Sequence, residues 1–525
     1  MPTVRAVVHD LLRELGCRTV FGNPGSTELP FLRDFPADFR YILGLSEAAV
    51  VGMADGYAQA SGQAAFVSLH SASGPGNAMG AVVNAFHNRA PIVIMSGQQD
   101  RRHLAIEPYL FARSAELMRP YVKWAQEPAS PGDVPAAIHR AWDLAMHQPA
   151  GPAFVSVPMD DWDQQAEPIG RREVSRRQGA DPADVQRLAD VLAASARPVI
   201  VAGEGIDRCG AWPQIVAVAE RLGARVWAAP QSPRAGFPED HGLFAGHLAA
   251  GAARLASQLA GHDLVLVAGA PVFAVLAYEP EPGPLPALAL LTDDIADAAR
   301  APAALSVVAD LGLVLDQLLN VLPGPARGTV PPRREPPQPV AAVSPISAAY
   351  LMQTLGELLP ANAVLVEESP SNRAEMRRHV RIRRPAGFYA SASGGLGFAL
   401  PAAVGIKLAD PDRPVVCLVG DGSVMYTVQS LWTAARHGLA ITVVVVGNGS
   451  YAILASFARF AGVGDVPGLS LGGLDIPALA RGLGCHSSSV TDPADLTEAL
   501  AGALEDDWPH LLHVAIDPAV PELLG

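Results

Sequence analysis

An α/β protein of three domains, each a mainly parallel sheet flanked by helices, is what this sequence predicts, and three observations carry the prediction. Short apolar runs rich in β-branched residues alternate with longer helical patterns along the whole chain, the mark of strand–helix–strand units. The chain has 525 residues, about three domains' worth at roughly 100–200 residues each. Two stretches suited to linkers, residues 161–184 and 322–345, cut it into pieces of similar length. The first is polar and charged. The second carries Pro323, Pro325, Pro331, Pro332, Pro336, Pro337 and Pro339, which exclude a helix or a central strand. The domains are therefore expected at 1–165, 182–322 and 345–525.

In the first piece, residues 18–21, 41–43, 64–69, 92–95 and 153–157 read as strands. In the second, 198–201, 264–267 and 305–308 do, and in the third, 363–366, 415–419, 441–446 and 511–514. Fully apolar runs of this kind suit strands covered by helices on both faces.

Composition narrows the function classes. Half the residues are hydrophobic and 17% are charged, too apolar for a disordered chain, while 49 glycines and 47 prolines exclude a coiled coil. A net charge of −14 argues against a nucleic-acid-binding surface. The longest uncharged runs, such as 438–458, contain Gly, Asn and Ser and do not read as membrane spans. The first residues lack a basic region followed by an apolar core, so no signal peptide is expected. Cys17, Cys209, Cys417 and Cys485 lie far apart without a CxxC spacing, which suits free thiols in a cytoplasmic protein.

Chemistry is expected in the loops after strands, because ligands of such sheets sit at the strands' carboxyl ends. The strongest signal is Gly420-Asp421-Gly422-Ser423 followed, one strand–helix–strand crossover later, by Gly447-Asn448-Gly449-Ser450. The Asp421 carboxylate, the Asn448 amide oxygen and the Ser450 backbone carbonyl are hard oxygen ligands suited to magnesium. The glycines let backbone N–H groups approach a diphosphate. Either loop alone would read as a turn; together, at adjacent strand ends, they read as a site. In the first domain Glu47 follows the 41–43 run and leads a helical stretch. Taken alone it is a carboxylate well placed against a helix dipole.

The paired loops resemble the metal-and-diphosphate signature of thiamine-diphosphate-dependent enzymes. Within that superfamily the chain is similar to the benzoylformate decarboxylases, 2-oxo acid decarboxylases. The resemblance runs through FGNPGSTELPFL at 21–32, HSASGPGNAMG at 70–80, GAPVF at 269–273 and GGLGFALP at 394–401, and so covers all three domains. It implies a pyrimidine-binding first domain, a middle domain, and a third domain that binds the diphosphate and Mg2+ or Ca2+. It makes Glu47 the activator of the cofactor's pyrimidine, Ser26 the binder of the substrate carboxylate and His70 a proton relay. Leu396 becomes an apolar prop for the cofactor, and Gly420, Asp421, Gly422, Ser423, Asn448 and Ser369 its remaining contacts. Leu276, Leu454 and Phe457 line the substrate pocket. The implied reaction is decarboxylation of an aromatic or bulky 2-oxo acid to an aldehyde. The implied assembly is at least a dimer, with a tetramer expected, because Glu47 of one chain must meet the diphosphate site of another.

Three departures qualify the resemblance. Where the family has a second catalytic histidine, this chain reads Leu276, which cannot move a proton. Pro370 replaces a hydroxyl residue, and the helix after the metal loop carries smaller residues where the family has an Arg and a Trp. Competing readings are a carboligase of the acetolactate-synthase type or a decarboxylase of another 2-oxo acid, a non-catalytic relative, and a dinucleotide-dependent dehydrogenase. The last rests on Gly74-Pro75-Gly76-Asn77-Ala78-Met79-Gly80 with Asp100 beyond it, but the spacing is GxGxxxG and leaves Glu47, Asp421 and Asn448 unexplained.

Overall fold

The computed structural model describes residues 1–324, 334–464 and 466–523. Part of the proline-rich stretch, with Pro325, Pro331 and Pro332, lies outside the described residues. The chain forms three six-stranded sheets whose strand pairs are all parallel. The first holds β1 (Thr19–Asn23), β2 (Arg40–Leu43), β3 (Ala65–Leu69), β4 (Ile92–Gln98), β5 (Ala125–Gln126) and β6 (Ala153–Pro158), in the order β2-β1-β3-β4-β6-β5. The second holds β7 (Pro198–Ala202), β8 (Arg225–Ala228), β9 (Phe244–His247), β10 (Leu264–Ala268), β11 (Ala287–Thr292) and β12 (Leu305–Val308), in the order β12-β11-β10-β7-β8-β9. The third holds β13 (Val364–Glu368), β14 (Phe388–Ala390), β15 (Val415–Gly420), β16 (Ile441–Gly447), β17 (His486–Val490) and β18 (His510–Ala515), in the order β14-β13-β15-β16-β18-β17.

The middle sheet reverses its winding direction once and the first and third sheets twice, the later reversal coming where β6 and β18 step back inside β5 and β17. The earlier reversal falls between β1 and β3 in the first sheet and between β13 and β15 in the third. Such switch points open a crevice at the carboxyl ends of the strands. The 21–32 and 70–80 motifs leave β1 and β3 there, and Ser369 and Asp421 leave β13 and β15.

The third domain packs against both others. One apolar cluster joins Val50, Ala54 and Ala58 of the first domain to Ala402, Ala403 and Ile406 of the third. Another joins Leu291 and Leu315 of the middle domain to Leu355 and Val416. The Glu47–Ser61 and Ala399–Ala409 helices meet almost without side chains between them. A Cβ on Gly56 would lie 2.2 Å from the Ala402 carbonyl oxygen, and one on Gly405 would lie 1.9 Å from that of Met53. Only glycine permits this approach.

The 161–184 stretch is pinned in place. Thr3 pairs with Gln165, and Arg177 makes a two-pronged bond to Asp310, Nε–Oδ2 3.0 Å and Nη2–Oδ1 2.9 Å. Its last residues already belong to the Pro182–Ala194 helix, capped by Asp181.

Candidate active site

Strands β15 and β16 are neighbours with Gly420 opposite Val446, so Asp421 and Asn448 emerge side by side. Asp421 is buried, and its two carboxylate oxygens accept from the Gly422 N–H at 2.8 Å and the Gly449 N–H at 2.7 Å. Burial raises its pKa above the ordinary carboxylate value, and the Gly449, Gly422 and Asn448 amides pull the other way. Asn448 Oδ1 accepts from the Ser450 N–H at 3.0 Å, a tight turn completed by Gly449 at φ +68°. Ser450 pairs with Ser470, which folds residues 469–471 over the loop. A Cβ on Gly422 would sit 2.4 Å from the Tyr451 ring, so this backbone is closely covered. Gly420 and Ser423 complete the turn, with the Ser423 side chain buried. At the neighbouring end of β13, Ser369 is buried and its Oγ has no partner among the described residues. A desolvated carboxylate beside an amide oxygen, with an unpartnered hydroxyl near glycine backbone, fits a hard divalent cation and a diphosphate.

The first domain gathers a second set of groups. Glu47 is the first residue of its helix, half-buried, and accepts from Asn77 Nδ2 at 3.2 Å. His70 follows β3 and its Nδ1 lies 3.0 Å from Glu28 Oε2 and 3.1 Å from Thr27 Oγ1. The Glu28 carboxylate is fully buried and also accepts from the N–H groups of Gly25 and Gly97 and from Thr27 Oγ1. A carboxylate on Nδ1 fixes the imidazole and leaves Nε2 free of these partners. The hydrogen bond to Glu28 raises the His70 pKa; burial opposes it, and the charges of Glu28 and Glu47 add to it.

Glu28 stands within the 21–32 motif, but local pattern gives it no role, because its partners His70 and Gly97 lie 42 and 69 positions away. Replacing Glu28 by Gln should lower the His70 pKa, so that at a given pH less of the ring is protonated. The limb of the pH–rate profile that reports His70 is expected to move to lower pH. An unmoved limb, measured on a variant of unchanged melting temperature, would show that Glu28 does not tune the ring.

The remaining residues fall where loops meet these two sets. Leu396 is half-buried and belongs to no apolar cluster. Its loop is held from the Ser73–His87 helix: Asn84 Nδ2 donates to the Gly395 carbonyl at 3.3 Å, and Asn88 Oδ1 accepts from the Ala392 N–H at 2.8 Å. Buried Glu368 accepts from the N–H groups of Gly397, Phe398 and Ala399 at 2.7–2.8 Å. Burial lifts its pKa to about 7 against those three bonds. Ser26 is exposed in the turn after β1 and does not cap a helix, since Glu28 occupies the cap of Leu29–Leu32. Leu454 is exposed and Phe457 half-buried on the Ala452–Phe460 helix, whose buried residues are Ala452 and Ser456. Leu276 is half-buried, its N–H donating to the Ala250 carbonyl at 2.8 Å. Within one chain the partners of Glu47 and His70 all belong to the first domain, and those of Asp421 and Asn448 to the third.

Comparison with known proteins adds independent findings. Residues 2–118 match the N-terminal TPP-binding domain of thiamine pyrophosphate enzymes, 185–318 the central domain and 371–514 the C-terminal TPP-binding domain. A benzoylformate decarboxylase of Pseudomonas aeruginosa is 42% identical over 99% of this chain and all of its own. The crystal structure of benzoylformate decarboxylase from Polynucleobacter necessarius superposes with a TM-score of 0.97 at 41% identity, covering both chains fully. A thiamine diphosphate-dependent 4-hydroxybenzoylformate decarboxylase of Rhodococcus jostii RHA1 gives 0.95 at 40% identity, over 99% of this chain and all of the other.

Proposed function

Because this chain belongs to the thiamine pyrophosphate enzymes, we propose that it is a lyase that decarboxylates an aromatic 2-oxo acid of the benzoylformate type, releasing an aldehyde and carbon dioxide. The observation that carries the reading is full-length similarity at 40–42% identity to benzoylformate and 4-hydroxybenzoylformate decarboxylases. The carboligase alternative has less support.

Thiamine diphosphate, when bound, supplies a carbon nucleophile and an electron sink for the departing carboxylate. Asp421, Asn448 and the Ser450 carbonyl would hold Mg2+, and Gly420, Gly422, Ser423 and Ser369 would surround the diphosphate. Leu396 would support the cofactor from the Asn84-braced loop. Glu47 would hold the proton exchanged with the pyrimidine nitrogen. Ser26, exposed in its turn, would bind the substrate carboxylate, and His70, oriented by Glu28, would move the proton. Leu276, Leu454 and Phe457 would bound the apolar side of the pocket. The hydrogen bonds of each set stay within its own domain, which suits a site completed by a second copy, hence a homodimer at least, with a tetramer as its doubled form. Four free cysteines suit the cytoplasm.

With Leu276 in place of a proton-transferring residue, His70 serves proton transfers alone. Leu276→His should therefore raise kcat on benzoylformate about tenfold, less than the ~10²–10⁴ of a fully positioned general acid–base group. Carbon dioxide release from benzoylformate, 4-hydroxybenzoylformate, phenylpyruvate and pyruvate, in wild type and variant, tests both claims. Turnover of pyruvate alone, with acetolactate as product, would replace this reading by the carboligase one.

A further inference from the structure

At the opposite end of the third sheet, two histidines and an aspartate converge on one point. His486 and His510 are the first residues of β17 and β18 and are paired in register, so they stand side by side on one face of the sheet. Asp506 ends the Leu496–Glu505 helix and reaches between them, its Oδ2 lying 2.8 Å from each Nδ1. These three atoms all lie within 4.8 Å of one another. We propose that His486, Asp506 and His510 form a second cation site, for a borderline transition-metal ion such as Zn2+.

The donor set decides the class of ion. Two imidazole nitrogens and one carboxylate oxygen suit Zn2+, Co2+ or Ni2+, whereas Mg2+ and Ca2+ take oxygen ligands. Two of the donors already have the supports that metal ligands use. His510 Nε2 lies 2.8 Å from Ser488 Oγ, and the other Asp506 oxygen accepts from the Trp508 N–H at 3.0 Å. Burial raises the Asp506 pKa, but the bonds from His486, His510 and Trp508 outweigh it and hold the carboxyl below its ordinary value. Bonds of ~2.0–2.1 Å to a tetrahedral Zn2+ place ligand atoms about 3.3 Å apart. Each histidine–Asp506 pair therefore needs to open by only about 0.5 Å from its present 2.8 Å. The His486 side chain is 59% exposed, so an ion can enter from solvent and keep water in its remaining position. Three protein ligands with an open position is a familiar arrangement for Zn2+.

The site is remote from the diphosphate loops. Asp421 and Asn448 follow the last residues of their strands, while the histidines begin theirs, and the six residues of β18 separate the two ends by roughly 17 Å. An ion here would staple the edge strand β17 to β18 and to the end of the preceding helix.

The test uses untagged protein saturated with thiamine diphosphate and Mg2+, titrated with Zn2+ against a chromophoric chelator. One Zn2+ per chain is expected to bind in addition. The His486→Gln/His510→Gln double variant and Asp506→Asn should each weaken it at least tenfold while leaving carbon dioxide release unchanged. Zn2+ should also raise the melting temperature of wild type and not of the double variant. Equal zinc affinity in wild type and variants, or no additional equivalent in wild type, would reduce the trio to a hydrogen-bonded clip and overturn the proposal.

Discussion

Asp421→Ala is expected to abolish turnover at every accessible cofactor concentration. The loop holds a buried carboxylate whose own hydrogen bonds come from the amides of Gly422 and Gly449. Removing it takes away the only anionic donor proposed for the cation and its two bonds to the Gly422 and Gly449 amides. A diphosphate facing glycine backbone without its cation is left with uncompensated charge. Calorimetry with thiamine diphosphate and Mg2+ reads the effect directly: binding should disappear in the variant. Undiminished affinity would remove Asp421 from the metal site.

Glu47→Gln should act differently, on rate and not on binding. Its carboxylate sits at a helix start with one hydrogen bond, from Asn77, and amide replacement preserves size and that contact. Proton exchange at C2 of bound thiamine diphosphate should slow by about 10²–10⁴, the usual range for a positioned acid–base group. Deuterium exchange followed by nuclear magnetic resonance separates this step from cofactor affinity, which should change little. Equal exchange rates would make Glu47 a structural residue.

The central strands were legible because burial on both faces demands an unbroken apolar run, as in the Ile-Thr-Val-Val-Val-Val stretch of β16. Edge strands escape that demand. The His-Ser-Ser-Ser-Val sequence of β17 carries no apolar signal, and β5 is two residues long. Ala-Leu-Ala-Leu-Leu-Thr in β11 is apolar but has no β-branched residue before its final Thr, so it suits a helix as well. The same contrast holds at the candidate site. Asp421, Asn448 and Glu47 stand out as polar residues at strand ends or a helix start, positions that local pattern can locate. Glu28 and Glu368 do not, since what makes them notable is a set of amide donors brought from elsewhere in the chain. A buried carboxylate looks in sequence like any surface one until its partners are known.

The glycine contact between the Glu47–Ser61 and Ala399–Ala409 helices has a consequence for inheritance. Every single-base change in a glycine codon that alters the residue adds a Cβ. At Gly56 and Gly405 that atom would fall 2.2 and 1.9 Å from a carbonyl oxygen of the facing helix. No small step is open at either position, and because the obstacle is a backbone carbonyl, no substitution on the facing helix can clear it. Both glycines are therefore held fixed, and with them the seating of the helix that begins with Glu47 on the segment that begins two residues after Gly397.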